Sequence, residues 1–449
     1  MMKDRAKFFF YGSVILVVLF FLIKYSMTVN WDFMSYFLNA KYLFSDGQYF
    51  EWYRAPLVPV LIGLFSIFTW KLAGWIFIGF LFGLHGFATY FFSKKFKLDY
   101  VLFYLLSLVP CFFIYGIETG TEVLTFSLIL LALTYLGFFG IFLGLAFLTR
   151  YTNVIFLPLI LFLKDKKKIL WNVLLFSVIV GVWFLHNWIV TGNPFHSFIN
   201  SYALNVGSRG YYVMAFDFLH LLVVGVWLWP LFLLGLYHKI KRGFKMIDWS
   251  MILIFVLSIY SYYSVPFKTS RYLFILILPL AYFSVYSFRR KKHIKILKIV
   301  LGVLVLASMI SLLLVPSDNL FRYEDSLTGL DECAVSSNVW VHVNYLGKPS
   351  IPFPAENLVE DYINEGYRVI LFKGVSEPAY VNSPELLEKY SFIENTTSYV
   401  ILGNENECKD PAEVKYDLSY LDRLDNEIFA MHGYHIDKSN YYVMFGDGY

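Results

Sequence analysis

The chain has 449 residues, 58% of them hydrophobic and 21% aromatic, with a mean hydropathy of +0.59, which excludes an ordinary water-soluble globular protein. The formal charge of +4 hides a partition: residues 1–316 carry 28 Lys and Arg against 10 Asp and Glu (+18), whereas 317–449 carry 9 against 23 (−14). The cations of the first part stand in short clusters between apolar runs, where they set membrane topology, so the basic excess does not indicate nucleic acid.

In chain order, Phe8 to Val29 is apolar and long enough to cross a hydrocarbon core about 30 Å thick. It lacks a small-residue cleavage pattern and is expected to be retained. Asp32 follows at once, in Asn30-Trp31-Asp32-Phe33-Met34-Ser35-Tyr36. Residues 57–70 are too short to cross and are expected to form an interfacial or re-entrant helix. Spans are expected over 72–93, 99–116, 123–139, 169–190, 216–237, 248–265, 272–288 and 294–315, with a short hairpin over 141–163 broken at Thr149-Arg150-Tyr151. Basic clusters at Lys3/Arg5/Lys7, Lys94/Lys95/Lys97, Lys164 to Lys168, Lys239 to Lys245 and Arg289 to Lys298 place the N-terminus in the cytoplasm, and Asp32 and the acidic tail outside. The fold class expected is an α-helical polytopic membrane protein of about nine full spans plus re-entrant or short helices, residues 1–316, with a small α/β soluble domain, residues 317–449.

The tail alternates β-type runs, Tyr367 to Phe372 and Ser398 to Leu402, with helix-like stretches at Ala355 to Asn364 and Pro384 to Tyr390. It holds one glycosylation-type sequon, Asn395-Thr396-Thr397. Cys111 lies in an apolar span. Cys333 and Cys408 share the tail, as a disulfide if that side is oxidising or otherwise as two thiols.

With this topology the outer face receives Asp32, Asp46, Glu51, Arg54, Glu118, Glu122, His186, Asn187, Arg209, Asp217, Lys268, Arg271 and Tyr272. Acids kept at a membrane boundary are costly and mark function. A carboxylate can take the proton of an acceptor hydroxyl, while cations and amides hold a phosphate leaving group whose lipid tail lies among the helices. No Gly-rich phosphate loop, zinc pattern or Ser/His/Asp set is visible.

The order and sidedness of several pieces are similar to those of GT-C glycosyltransferases, of the protein O-mannosyltransferase and lipid A aminoarabinose transferase type (family-39-like). The pieces are Asp32, Tyr36 to Ala40, Gly47, Arg54-Ala55-Pro56-Leu57, the loop with Glu118 and Glu122, and Gly144 to Tyr151. His186-Asn187 with Thr191 to Pro194, and Arg271-Tyr272 before Pro279, complete the set, which covers residues 1–290. The resemblance implies an inverting transferase that takes a sugar from a dolichyl- or polyprenyl-phosphate donor and acts on the extracytoplasmic face. Its acceptor would be a glycan, a lipid-linked saccharide or a protein.

Carried onto this chain, it makes Asp32 the base. Arg271, with Lys268, His186 or Asn187, becomes the donor-phosphate contact, and Glu118 or Glu122 orients the acceptor or a bound cation. Arg54, Arg150 and Tyr272 complete the substrate-binding set. No metal or other cofactor is expected to be obligatory, although some relatives bind a divalent cation. The chain departs from the pattern at Asp32-Phe33, where the mannosyltransferases carry Asp-Glu, and at Ala55-Pro56, where many carry Pro-Pro, which bears on acceptor identity.

Blander readings stand beside these. Asp32 could cap a helix beginning near Met34; Glu118 and Glu122, four apart, could share a solvated helix face; Arg271-Tyr272 could anchor at the headgroups. Arg150 either lines the cavity or pairs with an acid. Competing functions are a flippase or transporter of lipid-linked sugars and a non-catalytic membrane scaffold. The expected setting is a cell membrane or ER-type membrane.

Overall fold

A chain segment in lipid must satisfy its own N–H and C=O groups, and a helix does so within one segment. The chain is accordingly mostly helical. The computed structural model describes residues 2–45, 50–116, 118, 120–163, 165–202, 214–265, 268–288, 290–314, 320–328, 333–353, 358–373, 389–390, 392–404, 407–411, 426 and 429. Asp46, Gly47, Arg209 and, of the helix expected over Pro384 to Tyr390, all but its last two residues lie outside the described residues.

The first helices are α1 (Met2–Met27), α2 (Trp31–Phe44), α3 (Leu57–Phe65), α4 (Trp70–Phe96), α5 (Tyr100–Ser107), α6 (Pro110–Tyr115), α7 (Thr121–Thr134) and α8 (Phe139–Thr149). They continue as α9 (Lys166–Thr191), α10 (His196–Tyr202), α11 (Phe218–Gly225), α12 (Leu228–Ile240), α13 (Met246–Ser264), α14 (Ile277–Ser284) and α15 (Lys291–Leu314). 3-10 helices run over Tyr151–Phe162 and Ser270–Leu276. Contacts divide the chain into two units, residues 1–26 with 52–316 and residues 27–51 with 317–449.

Among the described residues of the first unit, five helices are long and apolar enough to cross a membrane: α1 over Ala6–Met27, α4, α9, α13 and α15. There are seven if the bent pairs Thr121–Thr134 with Leu136–Thr149 (114°) and α11 with α12 (82°) each count once. Several runs expected to be continuous are broken. α5 stops at Ser107, Leu108 leaves the helical region at ψ 58°, and Pro110 opens α6. A proline cannot continue the helix before it, and it suits a first helical position.

Between α11 and α12, Val226 takes φ 37°, an uncommon conformation for a β-branched residue. Trp229 lies on Gly225, where a Cβ would come within 2.3 Å of the indole nitrogen, and donates to the Leu221 carbonyl at 2.9 Å. The expected span over 272–288 begins instead as the 3-10 helix at Ser270.

α8 rests on α9 through Gly140 and Gly144; a Cβ on Gly140 would fall 1.9 Å from the Asn172 carbonyl oxygen. Small residues four apart allow this approach. Buried Asn172 fastens the seam, its Oδ1 accepting from Gly140 N (2.8 Å) and its amide donating to Leu136 O (3.1 Å) and Lys168 O (2.9 Å).

The second unit carries α16 (Leu320–Leu327), β1 (Val335–Ser337), α17 (Trp340–Tyr345), β2 (Ser350–Pro352), α18 (Val359–Asn364), β3 (Arg368–Phe372), β4 (Phe392–Asn395) and β5 (Tyr399–Leu402). The sheet order is β2-β1-β3-β5-β4, with β2, β1 and β3 parallel and the β5–β4 hairpin antiparallel. Period-2 alternation buries both faces. Val369, Leu371, Val400 and Leu402 join Val359 and Ile363 of α18, while Ile370, Phe372, Tyr399 and Ile401 join Tyr323 of α16 and Val343 of α17. The β-type runs and the helix ending at Asn364 therefore fall where the sequence puts them.

α2 belongs to this unit and packs on α17: Trp31 meets Trp340 and His342 edge-on (5.8 Å each), and Phe37 meets Tyr345 (5.0 Å). The two tail cysteines form the Cys333–Cys408 disulfide, spanning 75 positions. Beside it Gly366 takes φ 86°, and a Cβ there would meet Lys409 N at 2.8 Å. Arg368, almost fully buried, donates from Nη1 to Asn404 O (2.9 Å) and Glu407 O (2.7 Å), fixing the segment that ends at Cys408.

Candidate active site

Four charged side chains meet in the first unit, all delivered by interruptions of helices. Gly120, at φ 71°, caps α7, and a Cβ there would press on Phe77 and Leu81 at 3.0–3.1 Å. The turn leaves Glu118 outside the helix and Glu122 in its first turn, where the helix dipole favours an acid. Arg150 ends α8 in extended conformation. Asn153 pins that break, donating to Thr125 Oγ1 (2.8 Å) and Ala146 O (2.7 Å). Arg271 and Tyr272 open the second 3-10 helix, whose Ser270 hydroxyl pairs with Tyr115 at 2.6 Å.

The Glu122 carboxylate is sealed from solvent and joins both arginines. Its Oε1 accepts from Arg150 Nη1 (2.7 Å) and Arg271 Nε (2.6 Å), and its Oε2 accepts from Thr121 Oγ1 (3.0 Å). Arg271 Nη1 stands 3.3 Å from Glu118 Oε2. Arg150 also lies over the Tyr272 ring, 5.8 Å from its centroid. Glu122, Arg150, Arg271 and Tyr272, with Thr125, Asn153, Phe156, Ser258, Ser261 and Phe274, line a cavity of about 30 Å³, room for about two waters. Charge-assisted bonds of this kind are strong, and guanidinium is the side chain suited to both carboxylate and phosphate.

The site therefore brings together Glu118, Glu122, Arg150, Arg271 and Tyr272. Arg150 does both things the sequence left open, lining the cavity and pairing with an acid. Glu118 and Glu122 do not share a solvated helix face, because Gly120 separates them.

His186 and Asn187 sit at the end of α9 in a neighbouring cluster. Asn187 donates to Ser197 Oγ (2.7 Å), which also receives Trp183 Nε1 (2.8 Å) and the hydroxyl of Tyr151 (3.0 Å), the residue after Arg150. The His186 ring stacks on Trp183 at 4.9 Å and lies 5.7 Å from Trp52. Lys268 is turned elsewhere, donating to the carbonyls of Tyr263 (2.8 Å) and Val265 at the end of α13. Arg54 is buried and lies over Tyr53, 5.1 Å from the ring centroid.

Asp32 belongs to the second unit, half-buried in the first turn of α2. It is not the cap: Asn30 is, its Oδ1 accepting from Asp32 N at 2.9 Å. Among the described residues no three His, Cys, Asp or Glu side chains come together as a metal-binding group.

Thr121, Thr125, Asn153 and Ser258 were missed by sequence reasoning. The available signal was a hydroxyl or amide inside an otherwise apolar run, which needs a polar partner when buried.

No family model, no curated protein and no solved structure matches the chain.

Proposed function

We propose that the chain is an inverting glycosyltransferase of the GT-C kind. It moves a hexose, mannose by preference, from a dolichyl- or polyprenyl-phosphate to a glycan, lipid-linked or protein acceptor on the extracytoplasmic face of a cell or ER-type membrane. On this reading the helical domain makes about nine crossings, with its N-terminus in the cytoplasm. The supporting observation is the pair of guanidiniums, Arg150 and Arg271, held side by side by Glu122 in an apolar helical unit. Two cations kept together in such a setting suit the anion that a lipid carries into a membrane, a phosphate ester.

Each residue then has one task. The acceptor hydroxyl oxygen attacks the anomeric carbon, Asp32 takes the hydroxyl proton, and the bond from that carbon to the phosphate oxygen breaks with inversion. The lipid phosphate leaves with the electron pair, facing Arg271 and Arg150. Glu122, whose Oε1 already accepts two guanidinium bonds, holds the cations and does not take the proton. Glu118 gives way as the phosphate arrives.

A second reading, a non-catalytic scaffold, draws on the same cluster: two acids and two cations close their own charge around a cavity of about 30 Å³. The test is transfer of label from polyprenyl-phosphate mannose and glucose by wild-type and Asp32→Asn protein in lipid, with a crude acceptor extract. A fall of about 10²–10⁴-fold in the folded variant is expected. Equal transfer by both removes Asp32 from the chemistry, and no transfer by either favours the scaffold or a transporter.

A further inference from the structure

We propose that Asn395 is an acceptor of N-linked glycosylation, taking an oligosaccharide from a lipid-phosphate carrier. The chain has a single Asn-x-Ser/Thr triplet with x other than Pro, Asn395-Thr396-Thr397. The structure puts it at the turn between β4 and β5, on the outermost strand of the sheet, with Asn395 and Thr397 both exposed.

The two threonines have different jobs. Thr396 builds the turn: its Oγ1 accepts from Ser398 N (3.2 Å) and Tyr399 N (3.0 Å) and donates to Tyr399 O (3.0 Å). Thr397, the hydroxyl residue of the triplet, makes no hydrogen bond among the described residues. Lys373 Nζ holds the amide oxygen of Asn395 at 2.7 Å and also donates to Thr396 O. The Asn395 Nδ2, the atom to be modified, has no hydrogen-bond partner among the described residues. The acceptor nitrogen and the recognition hydroxyl thus stand clear of the fold, on a turn that Thr396 and Lys373 build.

The compartment fits as well. The Cys333–Cys408 disulfide of the same unit belongs to an oxidising environment, where this modification is made. In the reaction Asn395 Nδ2 bonds to C1 of the reducing-end sugar and the bond from C1 to the carrier phosphate breaks. An amide proton passes to a base of the host transferase, and the lipid phosphate leaves with the electron pair. The proposal rests on the external tail of the reading above and not on that reading's transfer reaction.

The experiment uses the full chain purified from its own cells. Peptide mass spectrometry is expected to find Asn395 carrying glycan, with complete loss in Asn395→Gln and Thr397→Ala and retention in Ser398→Ala. In parallel, Thr397→Cys in sealed cells is treated with a membrane-impermeant maleimide. Labelling from outside together with bare wild-type Asn395 overturns the glycosylation proposal and leaves the topology standing. The same labelling is done on sealed vesicles of an internal membrane whose cytoplasmic face is outward, and labelling from the cytoplasmic side of either membrane overturns the topology and this proposal with it.

Discussion

Each unit holds arginine at least partly out of solvent, and each answers it differently. In the sheet unit Arg368 is answered by carbonyls of Asn404 and Glu407, dipoles fixed in the backbone. In the helical unit Arg150 and Arg271 are answered by side-chain carboxylates of Glu122 and Glu118. A carbonyl partner cannot leave without unfolding its loop, so Arg368 is a structural fastener. A carboxylate on a rotatable side chain can be replaced by another anion, so the second arrangement suits a site that must open.

Removing one charge should hurt most where two cations depend on it. Glu122→Gln removes the carboxylate that both arginines share, leaving Arg271 with Glu118, and is expected to cost about 5 kcal/mol, the upper end for breaking a buried pair. It should be read as a large drop in melting temperature in detergent. The triple variant Glu122→Gln, Arg150→Met, Arg271→Met should recover most of that loss, since a whole buried ion set is replaceable by apolar groups. A stable triple variant that still transfers sugar would break the functional half of the comparison.

In the sheet unit, replacing Cys333 and Cys408 by Ala opens a loop of 75 positions, an expected loss of about 4 kcal/mol in the chain-entropy picture. That loss should appear only in the melting of this unit. His342 comes next. Burial pushes its pKa down to about 4, outweighing a bond with the Val29 backbone that raises it. The unfolded chain therefore takes up a proton below pH 6.5 while the folded chain refuses it until pH 4. Stability should fall by about 3 kcal/mol as pH drops through that window, and His342→Leu should flatten the profile. The smallest effect expected is Arg368→Met, about 2 kcal/mol for the Asn404 and Glu407 carbonyls left without their donor, measured by denaturant titration of the same transition.

Legibility in the sequence followed the length scale of the signal. Apolar runs of twenty residues and period-2 runs such as Arg368–Phe372 declare themselves, and the five long helices and the sheet lie where they point. Breaks set by packing do not. Apolar periodicity does not announce Val226 at φ 37°: Trp229 folds back over Gly225, four positions earlier, and the run of apolar residues carries no sign of it. The Asp32 cap alternative failed for a related reason: Asn30 and Asp32 are both good caps, and their local preferences alone do not choose between them. Within the site, Arg150 announced its need for an acid. The identity of that acid, 28 positions earlier in sequence, depended on the turn at Gly120. Lys268, grouped with Arg271 by sequence, went to carbonyls only three and five positions away.

The packing of α2 on α17 also sets a timetable. α2 leaves the ribosome roughly 300 residues before the helix it packs on, which at about 5–20 residues per second means about 15 to 60 s of waiting. Throughout that interval Trp31 and Phe37 have yet to meet Trp340, His342 and Tyr345. The first segment of this unit to be made is thus among the last to find its place, and premature release of the nascent chain before Trp340 would strand it.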